Sequence, residues 1–370
     1  MKKIILIVFF FLTAVCAVDV PAYAQKGTVG ELPKEESLEA VVEKVLEEKQ
    51  VKPMDLTEKQ LYQKLELLVT KGSLKDKKIV VESGSLPIAN NLKYQVGDQV
   101  IVTYTKDNEG NDVFYITDFV RRKPLFWLLL IFVAMALVVG RWQGGSSLLG
   151  MGVSFLVIFK FILPQILAGN DPVLTAILGS LVIIPATFLL SHGVNRKTLM
   201  AVLGTLISLV VTGVLAIVFA GLTKLSGFSS EEAGFLQAYK PGLINMKGLL
   251  LAGIIIGLIG VLDDITISQA AVVQQLKNAN EKLKTKELYR QAMAVGKDHI
   301  ASMVNTLILV YAGAALPLLI LFVDNPHPFL EVINYEIIAE EVVRTLVGSI
   351  GLILAVPITT FIASLTVKKA

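Results

Sequence analysis

The chain has 370 residues, of which 54% are hydrophobic and 18% charged, and its mean hydropathy is +0.67. Such a sequence is too apolar for a soluble protein and too long for one compact core, so it indicates a multispan membrane protein. The net charge of +3 gives no reason to expect a nucleic acid partner, and the single cysteine, Cys16, excludes a disulfide framework and a cysteine-based metal site.

Residues 1–24 have the features of a secretory signal peptide. Two lysines lead into an apolar run from Ile4 to Val18, and Ala22-Tyr23-Ala24 has the small-x-small pattern of a cleavage site. The alternative is an uncleaved first transmembrane helix. Both interpretations place the residues that follow outside the cytoplasm.

Residues 25–123 are predicted to form an extracytoplasmic, β-rich domain, because they contain charges and turn residues but no apolar span. Alternating apolar residues predict strands at Leu65–Val69 and Val100–Tyr104, and a glycine-containing loop leads into a return strand at Val113–Ile116. The segment Ser37–Glu43 leaves a strand and a helical turn open. About five short strands favour a small barrel of the OB type, with a structural or partner-docking role.

Residues 124–370 are predicted to form an α-helical polytopic membrane domain with seven transmembrane helices. All but the first, which is short, can cross an apolar core of ~30 Å at 1.5 Å per residue. The predicted spans are Leu125–Gly140, Leu148–Ala168, Val173–Ser191, Leu199–Leu222, Gly248–Ala271, Ile300–Val323 and Val343–Val367.

The distribution of lysine and arginine predicts the orientation, because cytoplasmic loops are enriched in both. With residues 25–123 outside, the outer loops carry Lys224, Lys240 and Lys247. The inner segments then carry Arg141, Arg196, Lys197, Lys277, Lys282, Lys284, Lys286, Arg290, Lys297, Lys368 and Lys369. The C-terminus is therefore predicted to be cytoplasmic. The basic run at 121–123 opposes this orientation, but a domain led by a signal peptide is exported largely regardless of such charge.

Prolines suggest an internal repeat. Pro164 and Pro185 in spans two and three correspond to Pro317 and Pro357 in spans six and seven. A parallel repeat would explain this, and so would a coincidence of proline-kinked apolar helices.

The fifth span carries an acidic pair, Asp263-Asp264, in an otherwise apolar run. A charge near the bilayer interior costs at least ~2.5–3.5 kcal/mol, so such residues usually mark a functional site. Helical spacing places Asp264 with Ser268 on one stripe and Asp263 with Thr266 on the next, and Gln269 follows. Oxygen ligands of this kind suit protons, Na⁺, Mg²⁺ or Ca²⁺, and the identity of any metal stays open. The alternative is that the aspartates lie at headgroup level and cap the helix.

The sixth span begins with a second polar stripe, Asp298, Ser302 and Asn305, at helical spacing. His299 could relay a proton, as histidine side chains do in many proteins, although a simple interfacial histidine is equally compatible. Asp298 would also serve as a first-turn acid at a helix N-terminus. Since both stripes start on the cytoplasmic side of consecutive spans, we expect them to converge.

Lys160 stands in the second span with apolar neighbours on both sides. It is a candidate partner for one of the aspartates. The alternative is that its side chain snorkels to the outer surface.

The segments Gly260–Gln269, Gly296–Leu307 and Tyr311–Pro317 resemble the YibE/F family of bacterial multispan membrane proteins. The signal peptide, soluble domain and seven spans also fit, so the resemblance covers nearly the whole chain. It implies a multi-pass protein of the bacterial plasma membrane, without an established activity or defined catalytic residues.

The leading functional hypothesis is a transporter or channel for a small solute or ion, in which Asp263, Asp264, Asp298 and Asn305 line the path. No enzymatic activity and no cofactor are expected. The expected partners are the lipid bilayer, a small solute or cation and further copies of the chain. A membrane scaffold or sensor whose outer domain binds a partner is the main alternative.

An intramembrane aspartyl hydrolase is a weaker alternative, because the Gly-x-Gly-Asp pattern of such proteases is absent. Glu340, Glu341 and Arg344 are similar to the glutamate pair of membrane CAAX-type proteases. However, the arginine is one residue too close and the matching histidines are missing.

Overall fold

The computed structural model describes residues 35–52, 59–85, 92–107, 109–324 and 326–367. The predicted signal peptide therefore lies outside the described residues. The chain divides into two compact units, whose boundary falls between Ala134 and Met135.

The first unit is a five-stranded antiparallel sheet. Its strands are β1 (Glu36–Val51), β2 (Gln60–Lys71), β3 (Lys78–Ser83), β4 (Gln99–Lys106) and β5 (Asp112–Phe119), in the spatial order β3-β2-β1-β4-β5. The predicted strands are confirmed, and the ambiguous segment Ser37–Glu43 is part of β1.

Strand β1 is long because it pairs with both halves of the sheet. Its first residues, Glu36–Val41, pair with β4, and Glu39–Val51 pair with β2. Register shifts interrupt the second pairing, for example between Val42 and Lys44. Such bulges bend a strand, and the edge strands β3 and β5 come into contact range of each other.

The core of this unit follows from the period-2 alternation of the strands. Alternate residues of β1, β2 and β4 are fully buried, among them Leu38, Leu65, Leu67 and Val100. Buried Gln63 holds the chain before β4: its side chain accepts from the Tyr94 N–H at 2.8 Å and donates to the Tyr94 carbonyl at 3.0 Å.

The second unit is helical, and its first helix begins within the preceding unit. Its elements are α1 (Arg122–Val157), a π-helix (Ile158–Ile162), α2 (Leu163–Leu167), α3 (Pro172–His192), α4 (Arg196–Leu222), α5 (Glu231–Tyr239), α6 (Met246–Ala279), α7 (Thr285–Ala314), α8 (Leu316–Val323), α9 (Phe329–Val332) and α10 (Glu336–Thr366).

Within the described residues, five helical segments are long and apolar enough to cross a membrane. They are Arg122–Leu167, Pro172–His192, Arg196–Leu222, Met246–Ala279 and Glu336–Thr366. A sixth is present if α7 and α8, which meet at an angle of 76°, count as one broken span. The sequence predicted seven, because it divided the 46-residue segment Arg122–Leu167 into two spans.

This long segment is interrupted at Arg141, whose backbone is not helical (φ 49°, ψ −130°). A Cβ on Gly144 would lie only 1.9 Å from the carbonyl oxygen of Ala136. Residues eight positions apart in a straight helix are separated by about 12 Å. The chain therefore turns sharply at Arg141.

Helices α4, α6 and α10 form the centre of the helical unit, and small residues let them approach closely. A Cβ on Gly204 of α4 would lie 2.3 Å from the Thr359 hydroxyl oxygen, and one on Gly351 of α10 would lie 2.5 Å from that of Thr212. These contacts hold α4 and α10 close together, and both helices pack against α6.

Candidate functional site

Helix α6 presents an open face that runs along its length. Gly253, Gly257, Gly260 and Asp264 fall within an arc of about 60° at 100° per residue, and all four are exposed. No described atom lies within 4 Å of where a Cβ on any of these three glycines would be. We call these four residues the glycine face of α6.

The two aspartates of α6 have different surroundings. Asp264 is exposed on the glycine face, whereas Asp263 is half-buried on the neighbouring side of the helix. The Oδ1 atom of Asp263 is buried and has no hydrogen-bond partner. The sequence predicted two stripes on this helix. The stripe with Asp264 is open, and the stripe with Asp263 is more buried.

The packing of α3 on α6 shows how deep the aspartates lie. Pro172 lies against Gly248, since a Cβ there would be 3.1 Å from the proline Cδ. At the other end of α3, His192 is within electrostatic range of Asp264. Helix α3 has 21 residues and so spans about 31 Å, close to the thickness of an apolar core. Asp264 thus lies near one end of the spanning region rather than at its centre.

Thr266 and Gln269 tie α6 to its neighbours. The Thr266 hydroxyl oxygen is 2.7 Å from that of Thr205 on α4. The Gln269 side-chain nitrogen donates to the Thr360 hydroxyl at 2.7 Å and to the Ala292 carbonyl at 3.0 Å. Both residues are buried, so their geometry is that of helix packing, while Ser268 is half-buried beside them.

The second predicted stripe is on α7. Asp298, Ser302 and Asn305 are exposed, and His299 is half-buried. No hydrogen bond or ion pair of the described residues joins Asp298 or Asn305 to the α6 aspartates. Instead, Asp298 lines an open cleft of about 1030 Å³ with basic residues at the start of α7, namely Lys284, Lys286, Arg290 and Lys297. The expected convergence of the two stripes is absent from the described contacts.

Lys160 is exposed on the π-helix and forms no ion pair among the described residues. The π-helix has a local cause, because Pro164 has no N–H to offer the carbonyl one turn earlier. The Leu163 N–H bonds the Ile158 carbonyl instead. Within the described chain, no group of three or more histidine, cysteine or acidic side chains is arranged to hold a metal ion.

An ion pair with a buried carboxylate lies at the other end of the glycine face. Glu340 on α10 is 8% exposed. It accepts from Arg344 at 2.6 Å and from the Ser229 hydroxyl, and Arg344 also donates to Glu341 at 3.1 Å. One guanidinium thus faces two carboxylates, which leaves the cluster with an excess of negative charge.

Glu336, one turn before Glu340, holds the loop between α4 and α5. It accepts from the Ser226 N–H at 2.5 Å, the Ser226 hydroxyl at 2.8 Å and the Gly227 N–H at 3.0 Å. Gly227 has φ +83°, and a Cβ there would lie 2.4 Å from the Met246 carbonyl oxygen, so the position requires glycine. The loop is fixed against both α10 and α6.

Several of these groups line a partly open cavity of about 430 Å³. Its polar wall includes Ser229, Glu340 and Arg344, and Gly253 and Gly257 of the glycine face form part of its floor. Glu232 and Tyr311 also line it. The polar cavity is therefore continuous with the open face of α6 that leads to Asp264.

This cavity was not foreseen from the sequence, because the predicted last span begins at Val343 and leaves Glu340 and Glu341 outside it. In the structure α10 begins at Glu336, so the glutamates belong to the helix. The signal that could have found them is the i, i+4 spacing of Glu340 and Arg344, which favours a pair on a helix.

Residues 128–369 match the YibE/F-like protein family. The chain belongs to the YibE/F family. This confirms the resemblance seen in the motifs of spans five and six. The YibE/F match includes the glycine face, both aspartates and the cavity at Glu340, and it begins after the last strand of the sheet. No curated protein and no solved structure matched the chain.

Proposed function

We propose that this YibE/F protein is a transporter that moves a small cation between the polar cavity beside Glu340 and Asp264, along the glycine face of α6. The observation that carries the proposal is the continuity of a charged cavity with an open stripe that ends in a carboxylate. Charged side chains in spanning helices are costly and usually mark a substrate or ion pathway.

The charges favour a cation. Glu232 and Glu340 line the cavity with Arg344 as the one basic group among its described lining residues, and Asp264 adds a further negative charge on the glycine face. The broken helix α7–α8 agrees with a transport role, because discontinuous helices commonly form the substrate sites of transporters.

The proposal includes a topology. The segments before and after Arg141 would each cross the membrane, and α7–α8 would be one broken span, which gives seven spans in a bacterial plasma membrane. The sheet unit would be exported behind a signal peptide and would close through β3 and β5 into an OB-like barrel. The lysine and arginine distribution supports a cytoplasmic C-terminus.

Uptake into proteoliposomes tests the function. A panel of Na⁺, K⁺, Mg²⁺, Ca²⁺ and small organic cations is compared between wild type, Asp264→Asn and Asp298→Asn. We expect one class of cation to accumulate above protein-free liposomes and Asp264→Asn to lower its uptake about tenfold or more. Asp298→Asn is the matched control, because it removes an exposed carboxylate that lies in a different cleft. Loss of uptake in Asp298→Asn alone would place the path elsewhere.

A further inference from the structure

A second cleft lies beside the polar cavity, between α7, α8 and α10. It has a volume of about 220 Å³, and its walls are almost entirely apolar, with Ile308, Leu318, Leu319 and Leu346 among them. The charged group at its edge is Glu341. We call this the apolar cleft.

The apolar cleft and the polar cavity share a wall. Tyr311 lines both. Arg344, which lines the polar cavity, donates to Glu341, which lines the apolar cleft, at 3.1 Å. The Tyr311 ring and the Arg344–Glu341 ion pair therefore separate the apolar cleft from the polar cavity.

The break between α7 and α8 leaves the apolar cleft accessible. The two helices meet at 76° around Ala315, and α8 has no buried residue. Because Leu318 and Leu319 of α8 form one wall, this cleft is bounded by a helix whose apolar side chains are largely exposed. A straight α7–α8 helix would not bring those leucines over the cleft in this way.

The charges around the shared wall complement a cationic group. Glu340 and Glu341 share a single arginine there, and Glu232 also lines the polar cavity. The Tyr311 ring offers a further surface for a cation, since cations are attracted to the face of an aromatic ring.

We propose that the transported solute is an amphipathic cation. Its cationic group lies in the polar cavity beside Glu340 and Tyr311, and its apolar part occupies the apolar cleft, so that it reaches the cavity from within the membrane. This inference rests on the proposed transport function and specifies the class of substrate and its route of access.

Binding to the full-length protein in lipid nanodiscs tests it. The probes are decyltrimethylammonium, which has both parts, tetramethylammonium, which has only the cationic part, and decanoate, which has an apolar chain and a negative charge. Binding to protein-free nanodiscs is subtracted. We expect decyltrimethylammonium to bind at least about tenfold more tightly than either other probe, because apolar and charged contacts add.

Two variants locate the two parts of the probe. Leu319→Trp fills the apolar cleft and should weaken decyltrimethylammonium binding about tenfold while leaving tetramethylammonium binding unchanged. Glu232→Gln, which spares the Glu340–Arg344 pair, should weaken binding of both cations. Ile217→Trp is the control, because it adds the same bulk in a different apolar cleft, between α3 and α4.

Equal effects of Leu319→Trp and Ile217→Trp, or decyltrimethylammonium binding no greater than in protein-free nanodiscs, would overturn the inference. If the protein still accumulates small cations in proteoliposomes, the transport function survives that result and only the amphipathic substrate and its lateral access fail. Tighter binding of decanoate than of decyltrimethylammonium would also overturn it, by reversing the charge preference.

Discussion

At the scale of single residues, Glu340 has surroundings unlike those of an ordinary surface carboxylate. Its side chain is 11% exposed and that of its partner Arg344 is 35% exposed. A buried ion pair contributes little net stability, but removal of one partner leaves an uncompensated charge. The pair therefore marks a polar site inside an apolar bundle rather than a device for stability.

Arg344→Met should destabilise the protein by about 2–3 kcal/mol, because it strands the Glu340 carboxylate without its guanidinium. The double variant Glu340→Leu/Arg344→Met should recover most of that loss. Thermal unfolding in detergent measures both. Arg290→Met is the matched control, because the Arg290–Glu287 pair is exposed and should be worth less than about 1 kcal/mol. Equal losses for Arg344→Met and Arg290→Met would contradict the burial of the pair.

At the scale of elements, the close contact of α4 with α10 depends on two glycines. Gly204→Ala should cost about 1–3 kcal/mol, because its Cβ would lie 2.3 Å from the Thr359 hydroxyl. Gly213→Ala, on the same helix, meets no atom within 4 Å and should be neutral or slightly stabilising. The melting temperatures of the two variants are compared with that of the wild type. An unchanged melting temperature for Gly204→Ala would contradict the close packing of α4 on α10.

The β-sheet unit should lose stability as the pH falls. Hydrogen bonds from Asn111 hold the pKa of Asp107 below its ordinary value of 3.8, and a hydrogen bond from Lys78 holds the pKa of Glu66 below its ordinary value of 4.5. Since the unfolded state then binds more protons at acidic pH, the stability that these carboxylates contribute at neutral pH is lost as pH falls through their folded pKa values. Urea unfolding of a segment that contains residues 35–120, followed by circular dichroism at about pH 7 and about pH 3.5, measures it. A midpoint that rises on acidification would contradict the assigned contacts.

Local patterns predicted most of these elements but not their contacts. Period-2 alternation located the strands, and apolar runs located the helices, including the break at Arg141 between two predicted spans. The four prolines lie inside α3 and α10 or near the start of α2 and α8, and the repeat they suggest stays a prediction. The rotation of each helix about its axis depends on its neighbours, which is why the sequence could not predict the contacts of Asp298 and Asp264.

At the scale of the whole molecule, the account requires a defined orientation. An impermeant thiol reagent should label Lys75→Cys in the β-sheet unit of intact cells and should not label Lys284→Cys in the loop before α7, because the basic loop is predicted to be cytoplasmic. Both variants are made in a Cys16→Ser background to remove the chain's other cysteine. Labelling of Lys284→Cys without cell lysis would reverse the topology.

The central claim is that solute passes along the glycine face of α6, and one measurement tests it most directly. Cation uptake into proteoliposomes is compared for Gly257→Leu, which fills the glycine face, and Gly221→Leu, which adds the same side chain to an equally open and exposed position on α4. We predict that Gly257→Leu lowers the uptake rate about tenfold or more while Gly221→Leu transports as the wild type does. Wild-type uptake by a folded, inserted Gly257→Leu protein would contradict the account.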